Sequence, residues 1–474
     1  MRYSLFVVLC LTFYCALAQE QDFNWVFGHH AGLNFSSGSP VPFTSTIYSV
    51  EDCASISDSS GELMFYTNGV NVYDRTGVMM PNGDSLATNF PWQYGADAPQ
   101  SVLILPVPGS SEFYFLFTRS DSALFYSVID MNLNGGYGDL AVKNQMLYDN
   151  PVQRYMTAIK HSNGEDWWLI AHGLADNFLA FRVTSTGIDS PAISHTGIMY
   201  YYAGFNSHVE ITANLQGTQL AFSSAYGIHL VDFDRCLGTF SNFQTISLTE
   251  TPYSFAYSPD GSKLYFSFHY NYFPTYLKQL CLDCGGPLDS NITEIYYRAD
   301  INFNLAQIQN GPDKKIYVAM SYWWPPDTIN SIYNRKLSVI NNPNALGMDC
   351  NFDTATISLS DNFSFIGLPN SPNYSLPPLT AECDSLATGI SSSDSEDGFI
   401  FPNPVNDVLS VNLKELIPLS GFIIADESGR TVLSGKQNFI TDRKINVSSL
   451  FPGIYCIRIS SNGKQIFNRS FVKE

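Results

Sequence analysis

One unit recurs along residues 20–380: a turn rich in Gly, Asp, Asn or Ser, then a strand of aromatic and β-branched residues. The instances are Ser59-Ser60-Gly61 before LMFYT, Gly109-Ser110-Ser111 before FYFLF, and Asn163-Gly164 before WWLIA. They continue with Gln216-Gly217 before QLAFSS, Pro259-Asp260-Gly261 before KLYFSF, and Pro312-Asp313-Lys314 before KIYVA. Their strands open at Leu63, Phe113, Trp167, Gln219, Lys263 and Lys315, in steps of 50, 54, 52, 44 and 52. Helical solenoids repeat every ~20–35 residues, whereas a period near ~50 with several strands per unit predicts propeller blades.

The remaining strands of a blade are legible too. HVEITAN, QLAFSSA, IHLVDFD and SNFQTISL follow one another, and SFAYS, KLYFSF, TYLKQLCL and TEIYY occupy the same places. Such short strands joined by turn residues read as antiparallel four-stranded meanders. Trp25-Val26-Phe27 and Leu33-Asn34-Phe35 resemble the second and third strands of a unit that lacks its first. FSFIGLPN at 363–370 reads as that missing strand. Pairing the two chain ends in one blade would leave no open edge. The expectation is an all-β chain with a seven-bladed propeller at 19–380; eight blades, or two sandwiches, is the alternative count.

Residues 1–18 read as a secretory signal peptide. Arg2 is followed by an apolar stretch at 5–17, and Ala16-Leu17-Ala18 precedes the expected cut, leaving Gln19 first. Seven cysteines remain, Cys53, Cys236, Cys281, Cys284, Cys350, Cys383 and Cys456, too few for a disulfide scaffold. Cys281-Leu282-Asp283-Cys284 lacks the second ligand pair of a zinc site and the strand-to-helix setting of a redox motif. A local disulfide or two buried thiols is the reading taken.

Residues 381–398 carry five acids and no base, are rich in Ser, and read as a solvated, protease-accessible linker. Beyond it the charge changes sign. Residues 399–474 have nine Lys or Arg against six Asp or Glu, whereas the whole chain has a net charge of −19. That acidity argues against a nucleic-acid partner. Short alternating strands (VLSVNL, GFIIADE, TVLSGK, IYCIRIS, QIFNRSFV) predict a small Ig-like β-sandwich at 399–474.

Two resemblances follow from these residues. NWVFGHHAGLNFSSGSP, VEDCASISDSSGELMFYTNGVNVYDRTGVMMPNG, SPDGSKLYFS and GLPNSPNY are similar to secreted propeller-like proteins of Gram-negative bacteria that use type IX secretion. FPNPVNDVLSV, IIADESGRTV and LFPGIYCIRI, with a basic end at Lys473, resemble the type IX C-terminal sorting domain of type A. The matching positions are Pro402, Asn403 and Pro404, then Asp426, Gly429 and Val432, then Leu450, Gly453 and Tyr455. Physical roles are expected beside the match. Pro402 and Pro404 hold an extended lead-in, Gly429 suits a hairpin turn, and Gly453 permits a bend. The resemblance implies inner-membrane passage by the signal peptide, outer-membrane translocation through the type IX machinery, removal of the tail, and release or attachment to the cell surface.

No nucleophile elbow, H-E-x-x-H helix or phosphate loop is present in the sequence. Blade geometry turns the first strand of each unit toward the central channel. Glu51, Asp52, Gln100, Arg154, His208, Glu210 and Gln307 are therefore the candidate residues of the channel or its mouth. Polar residues there also satisfy blade-to-blade hydrogen bonds, and that reading is preferred to a metal or hydrolytic centre. Neither a cofactor nor a resident metal is expected, and no membrane-spanning segment. Tyr200-Tyr201-Tyr202, Tyr270, Tyr272, Phe273, Tyr322, Trp323 and Trp324 could stack on sugar rings, anchor a protein, or pack blades. The functional expectation is an exported, non-catalytic module that binds glycan or protein. The alternative is a propeller-type hydrolase, lactonase-like or glycan-cleaving.

Overall fold

The computed structural model describes residues 20–88, 100–200, 210–224, 227–268, 273–322, 332–379, 383, 398–413, 421–426, 430–435, 443–461 and 464–473. The signal-peptide segment, most of 381–398, His208 and Gly429 lie outside the described residues.

Seven antiparallel sheets succeed one another from Asn24 to Ser358. Blade 1 holds Asn24–Phe27, His29–Asn34 and Val41–Tyr48; blade 2 holds Ala54–Ser57, Leu63–Thr67 and Val72–Asp74. Blades 3 to 7 begin with inner strands Val102–Pro106, Val152–Lys160, Ile211–Ala213, Ser254–Tyr257 and Phe303–Asn310, and each adds at least three further strands outward. Inner strands of successive sheets lie against one another around the ring. The chain is a β-propeller, as the repeat predicts.

Aromatic rings explain how the blades adhere. Phe65 meets Tyr114 at 5.2 Å between blades 2 and 3, and Tyr148 meets Phe181 at 5.9 Å between blades 3 and 4. Tyr155 meets Phe222 at 6.3 Å, and Tyr296 meets Phe352 at 5.4 Å, at later seams. Trp25 and Tyr317, 5.5 Å apart and edge-on, close blade 1 onto blade 7. Much of the aromatic content is thus consumed between sheets, where large rings bury the most apolar area per residue.

The closing segment departs from expectation. Phe363 forms isolated bridges with His29 and His30: His29 N donates to Phe363 O at 2.9 Å, and Phe363 N donates to His29 O at 3.1 Å. No ladder with Asn24–Phe27 follows among the described residues. Phe365, at φ 53°, breaks the extended run that a strand needs. The chain instead passes between blade 7 and blade 2. Gln307 N donates to Ile366 O at 3.1 Å, and Ile366 N donates to Val50 O at 3.3 Å. Two glycines admit it. A Cβ at Gly28 would stand 2.0 Å from Phe363 O, and one at Gly367 would stand 1.9 Å from Glu51 O.

Residues 366–379 then form a strap across the inner strands. Asn370 N donates to Cys53 O at 2.8 Å, while its Nδ2 donates to Val102 O at 2.9 Å and Met156 O at 3.2 Å. Tyr374 Oη donates to Ile104 O at 2.9 Å. Arg235 Nη2 donates to Pro377 O at 2.7 Å, Leu379 N donates to Ser162 O at 2.9 Å, and a disulfide joins Cys383 to Cys236. The strap ties blades 2 to 5 together from the side of the channel.

The tail is β-sandwich-like. One sheet orders Gly398–Phe401, Val408–Leu413 and Lys444–Asn446; the other orders Thr431–Gly435, Gly421–Asp426, Gly453–Ser461 and Lys464–Lys473. Ile400, Val405, Leu409, Ile424, Ile457 and Phe467 fill the space between them.

Candidate functional site

The predicted channel residues divide into two groups. Glu51, Asp52, Glu210 and Gln307 are buried at the centre of the ring, the three acids just before the start of an inner strand and Gln307 within one. Their partners come mostly from the neighbouring blade. Ser101 Oγ donates to Asp52 Oδ2, and Val102 N donates to Asp52 Oδ1 at 3.4 Å. Ser254 Oγ donates to Glu210 Oε2 and accepts from Ile308 N at 2.8 Å, linking blades 5, 6 and 7. Tyr253 Oη donates to Glu51 Oε1 at 2.7 Å, and Leu368 N of the strap donates to Gln307 Oε1. Arg154 lies near the buried Arg119, whose guanidinium is lowered by burial and, further down, by Arg154.

Burial sets the electrostatics of this ring. It pushes Asp52 well above the usual carboxylate range, against the bonds from Ser101 and Val102, with Glu51 adding a like charge. It lifts Glu210 to about 8, against the pull of Ser254 and Gln307. Glu210 Oε1 has no hydrogen-bond partner among the described residues. A carboxyl neutral at pH 7 holds its place as a donor or acceptor without the cost of burying a charge.

Gln100 stands apart from these four. Its side chain clasps Ile211 by two bonds, Nε2 to Ile211 O at 3.0 Å and Ile211 N to Oε1 at 2.8 Å. It lines a cleft of ≈ 390 Å³ between the strap and the inner strands of blades 4 to 7. Asp22, Phe23, Thr212, Asn310, Lys314 and Ser371 also line it. Burial raises the Asp22 carboxyl to about 6. Neither this cleft nor the partners Ser101, Tyr253 and Ser254 was visible in the sequence. Ser101 and Ser254 do share a signal with Glu210, since each sits at or just before the start of an inner strand.

The histidines form no single cluster among the described residues. His29 and His30 face each other at 4.3 Å beside the closing bridge, while His172 and His229 are buried, and both are lowered to about 4 by burial. Cys281, Asp283 and Cys284 group closely, but the two thiols are joined as a disulfide and offer no thiolate. Of the aromatic candidates, Phe273 is 62% exposed, and Tyr322 stacks on Tyr333 at 6.1 Å. The side chains of Tyr200, Tyr201, Tyr202, Tyr270, Tyr272, Trp323 and Trp324 lie outside the described residues.

The tail's motif residues serve its own fold. Val472 N donates to Asn403 Oδ1 at 2.8 Å, and Val405 N donates to Val472 O at 2.8 Å, so the lead-in pairs with the last strand. The peptide bonds preceding Pro402 and Pro404 are both cis. Asp426 accepts from Arg430 N and Arg430 Nε, both at 3.0 Å. Tyr455 Oη donates to Phe451 O at 2.8 Å, and Leu450 packs on the tail core. A Cβ at Gly453 would meet nothing nearer than the Tyr455 ring at 3.7 Å, so no steric demand explains that glycine.

Comparison decides what this tail is: residues 399–473 match the family model described as the secretion system C-terminal sorting domain. The tail is a type IX sorting domain. A chain with this sorting domain is secreted or attached to the cell surface, and no helix among the described residues is long and apolar enough to cross a membrane. No curated protein matches the chain. Among solved structures, a provisionally assigned 6-phosphogluconolactonase of Bacteroides fragilis is similar at 11% identity, covering 73% of this chain and 98% of that one, with TM-score 0.42. Another from Bacteroides uniformis shares 15% identity over 72% of this chain and 99% of its own, with TM-score 0.39. TolB of Acinetobacter baumannii shares 11% identity over 64% of this chain and 62% of its own, with TM-score 0.32.

Proposed function

We propose that the propeller is a non-catalytic binding module for glycan or protein, displayed or released outside the cell. Residues 1–18 direct it through the inner membrane, 19–380 do the binding, 381–398 link, and 399–474, an Ig-like sandwich in this reading, engages the type IX machinery at the outer membrane.

One observation carries the reading: four polar side chains of the channel are bonded between blades or beneath the strap. Glu51, Asp52, Glu210 and Gln307 each accept a bond from within the fold. A hydrolytic pair needs one carboxyl free to reach substrate or water. These are buried, bonded and, for Asp52 and Glu210, held toward the neutral form. The described residues offer solvent a strap-walled cleft.

The test is the full-length secreted protein on glycan and protein arrays, with and without chelator, beside a panel of lactones and glycosides. Saturable, chelator-insensitive binding without turnover is expected. Catalytic turnover of any panel member, lost in Glu210→Gln, would overturn the reading in favour of a hydrolase.

A further inference from the structure

The tail leaves three large apolar side chains in solvent at one end of its four-stranded sheet. Ile454 and Val472 are register partners on adjacent strands, 52% and 38% exposed. Their neighbours Tyr455, Ile457 and Phe471 fill the core. Strand alternation therefore turns Ile454 and Val472 outward, where a solvated sheet face carries polar residues. Phe451, two residues before the strand that holds Ile454, is 84% exposed. Its backbone is nonetheless fixed, because Tyr455 Oη donates to its carbonyl at 2.8 Å. Arg430 borders the same end: its side chain is 79% exposed and bonds Asp426, the register partner of Tyr455. Arg458 is exposed on the same strand face as Ile454, four residues on. The propeller meets the tail's other sheet, with Phe401 lying 6.4 Å from Phe113. Among the described residues, neither the propeller nor the tail core covers Phe451, Ile454 and Val472.

We propose that Phe451, Ile454 and Val472 are the face by which a component of the secretion machinery holds the tail, and that this component offers an apolar pocket rimmed by carboxylates. The proposal rests on the sorting-domain assignment and adds the face and the partner's chemistry. An aromatic ring on a fixed backbone loses little freedom on entering a pocket, and such anchors carry most of an interface's binding energy. Charge sets the sign of the rim. The tail has nine Lys or Arg against six Asp or Glu, and the exposed charges described beside the patch are Arg430 and Arg458. A second copy of the tail would bring like charges together. A lipid surface would call for a longer row of bases and a larger apolar face.

The experiment compares delivery of the full chain and its variants in a secreting host, by fractionation into periplasm, cell surface and medium. Phe451→Ser and Val472→Thr change only exposed side chains, so the retained protein should keep a folded, protease-resistant tail. Delivery of Phe451→Ser should fall about tenfold, the contribution of one aromatic ring buried in a pocket, and that of Val472→Thr about threefold. Arg458→Glu should lower delivery as well, whereas Val408→Thr, 41% exposed on the other sheet, should be delivered like the wild type. Should Phe451→Ser lose the folded tail, Val472→Thr decides in its place. The inference is overturned if Phe451→Ser or Arg458→Glu is delivered like the wild type, or if Val408→Thr falls as far as Phe451→Ser. It is also overturned if the purified full chain dimerises, or binds phosphatidylglycerol vesicles, in a way that Phe451→Ser abolishes, since a second copy or a lipid is then the occupant. Delivery of a chain ending at residue 398 would remove the sorting reading itself. Retention of that chain beside normal delivery of Phe451→Ser would remove only the docking face.

Discussion

Replacing Glu210 by Gln probes the centre of the ring directly. Burial lifts this carboxyl from an ordinary 4.5 to about 8. A raised carboxyl stabilises the fold fully below the unfolded value, near pH 4.5, and that contribution is lost as pH rises toward 8. At about 1.4 kcal/mol per pH unit, ionising Glu210 costs on the order of 5 kcal/mol once pH exceeds 8, an upper figure before water entry relaxes it. Gln keeps the acceptor that Ser254 bonds, occupies nearly the same volume and never ionises. Urea unfolding followed by Trp fluorescence should give matched stabilities within about 1 kcal/mol at pH 5. At pH 8.5 the variant should be more stable by about 2–5 kcal/mol. A variant less stable than wild type at pH 8.5, or a difference that does not change with pH, would refute the account of a neutral, structural Glu210.

Other perturbations follow from the seams. Cys383→Ser frees the strap's far end; because the disulfide spans 147 residues, its loss should cost about 3–5 kcal/mol, read as a lower thermal midpoint that reductant shifts far less than it shifts the wild type's. Gly28→Ala would set a Cβ 2.0 Å from Phe363 O in a left-handed conformation; about 2–4 kcal/mol of destabilisation is expected by denaturant titration, and a silent variant would contradict the closure described. Deleting 399–474 should leave the propeller folded, with its thermal midpoint within about 4 °C of the full chain, because the blades and strap are complete without it.

The sequence carried the ring better than its centre. Six turn-and-strand units near a fifty-residue period place blades 2 to 7, since each turn caps itself locally; Asp260, for example, accepts from Ser262 N at 3.0 Å. The return of 363–370 to blade 1 was visible as a strand short at one end and spare at the other. Its conformation was not, because Phe365 and Gly367 are shaped by Glu51 and Val50, three hundred positions away in the chain. The Cys281–Cys284 disulfide was one of two readings its spacing left open, whereas Cys236–Cys383 depends on where the strap lands. Channel position pointed to Glu51, Asp52, Glu210 and Gln307, but the partners that hold them, Ser101, Tyr253 and Ser254, are ordinary strand residues until the blades meet. The cleft belongs to no single repeat. It arises where the strap crosses four inner strands, and only Gln100 among its residues was singled out beforehand as a channel residue.

The central claim, a propeller delivered by its own sorting domain, is tested most directly by fractionating a secreting host that expresses the full chain or residues 1–398. The account predicts that the full chain yields a propeller in the medium or on the cell surface, shortened by the mass of its tail. Residues 1–398 should accumulate in the periplasm as a folded, protease-resistant propeller. Surface or medium delivery of 1–398 at the yield of the full chain would contradict it.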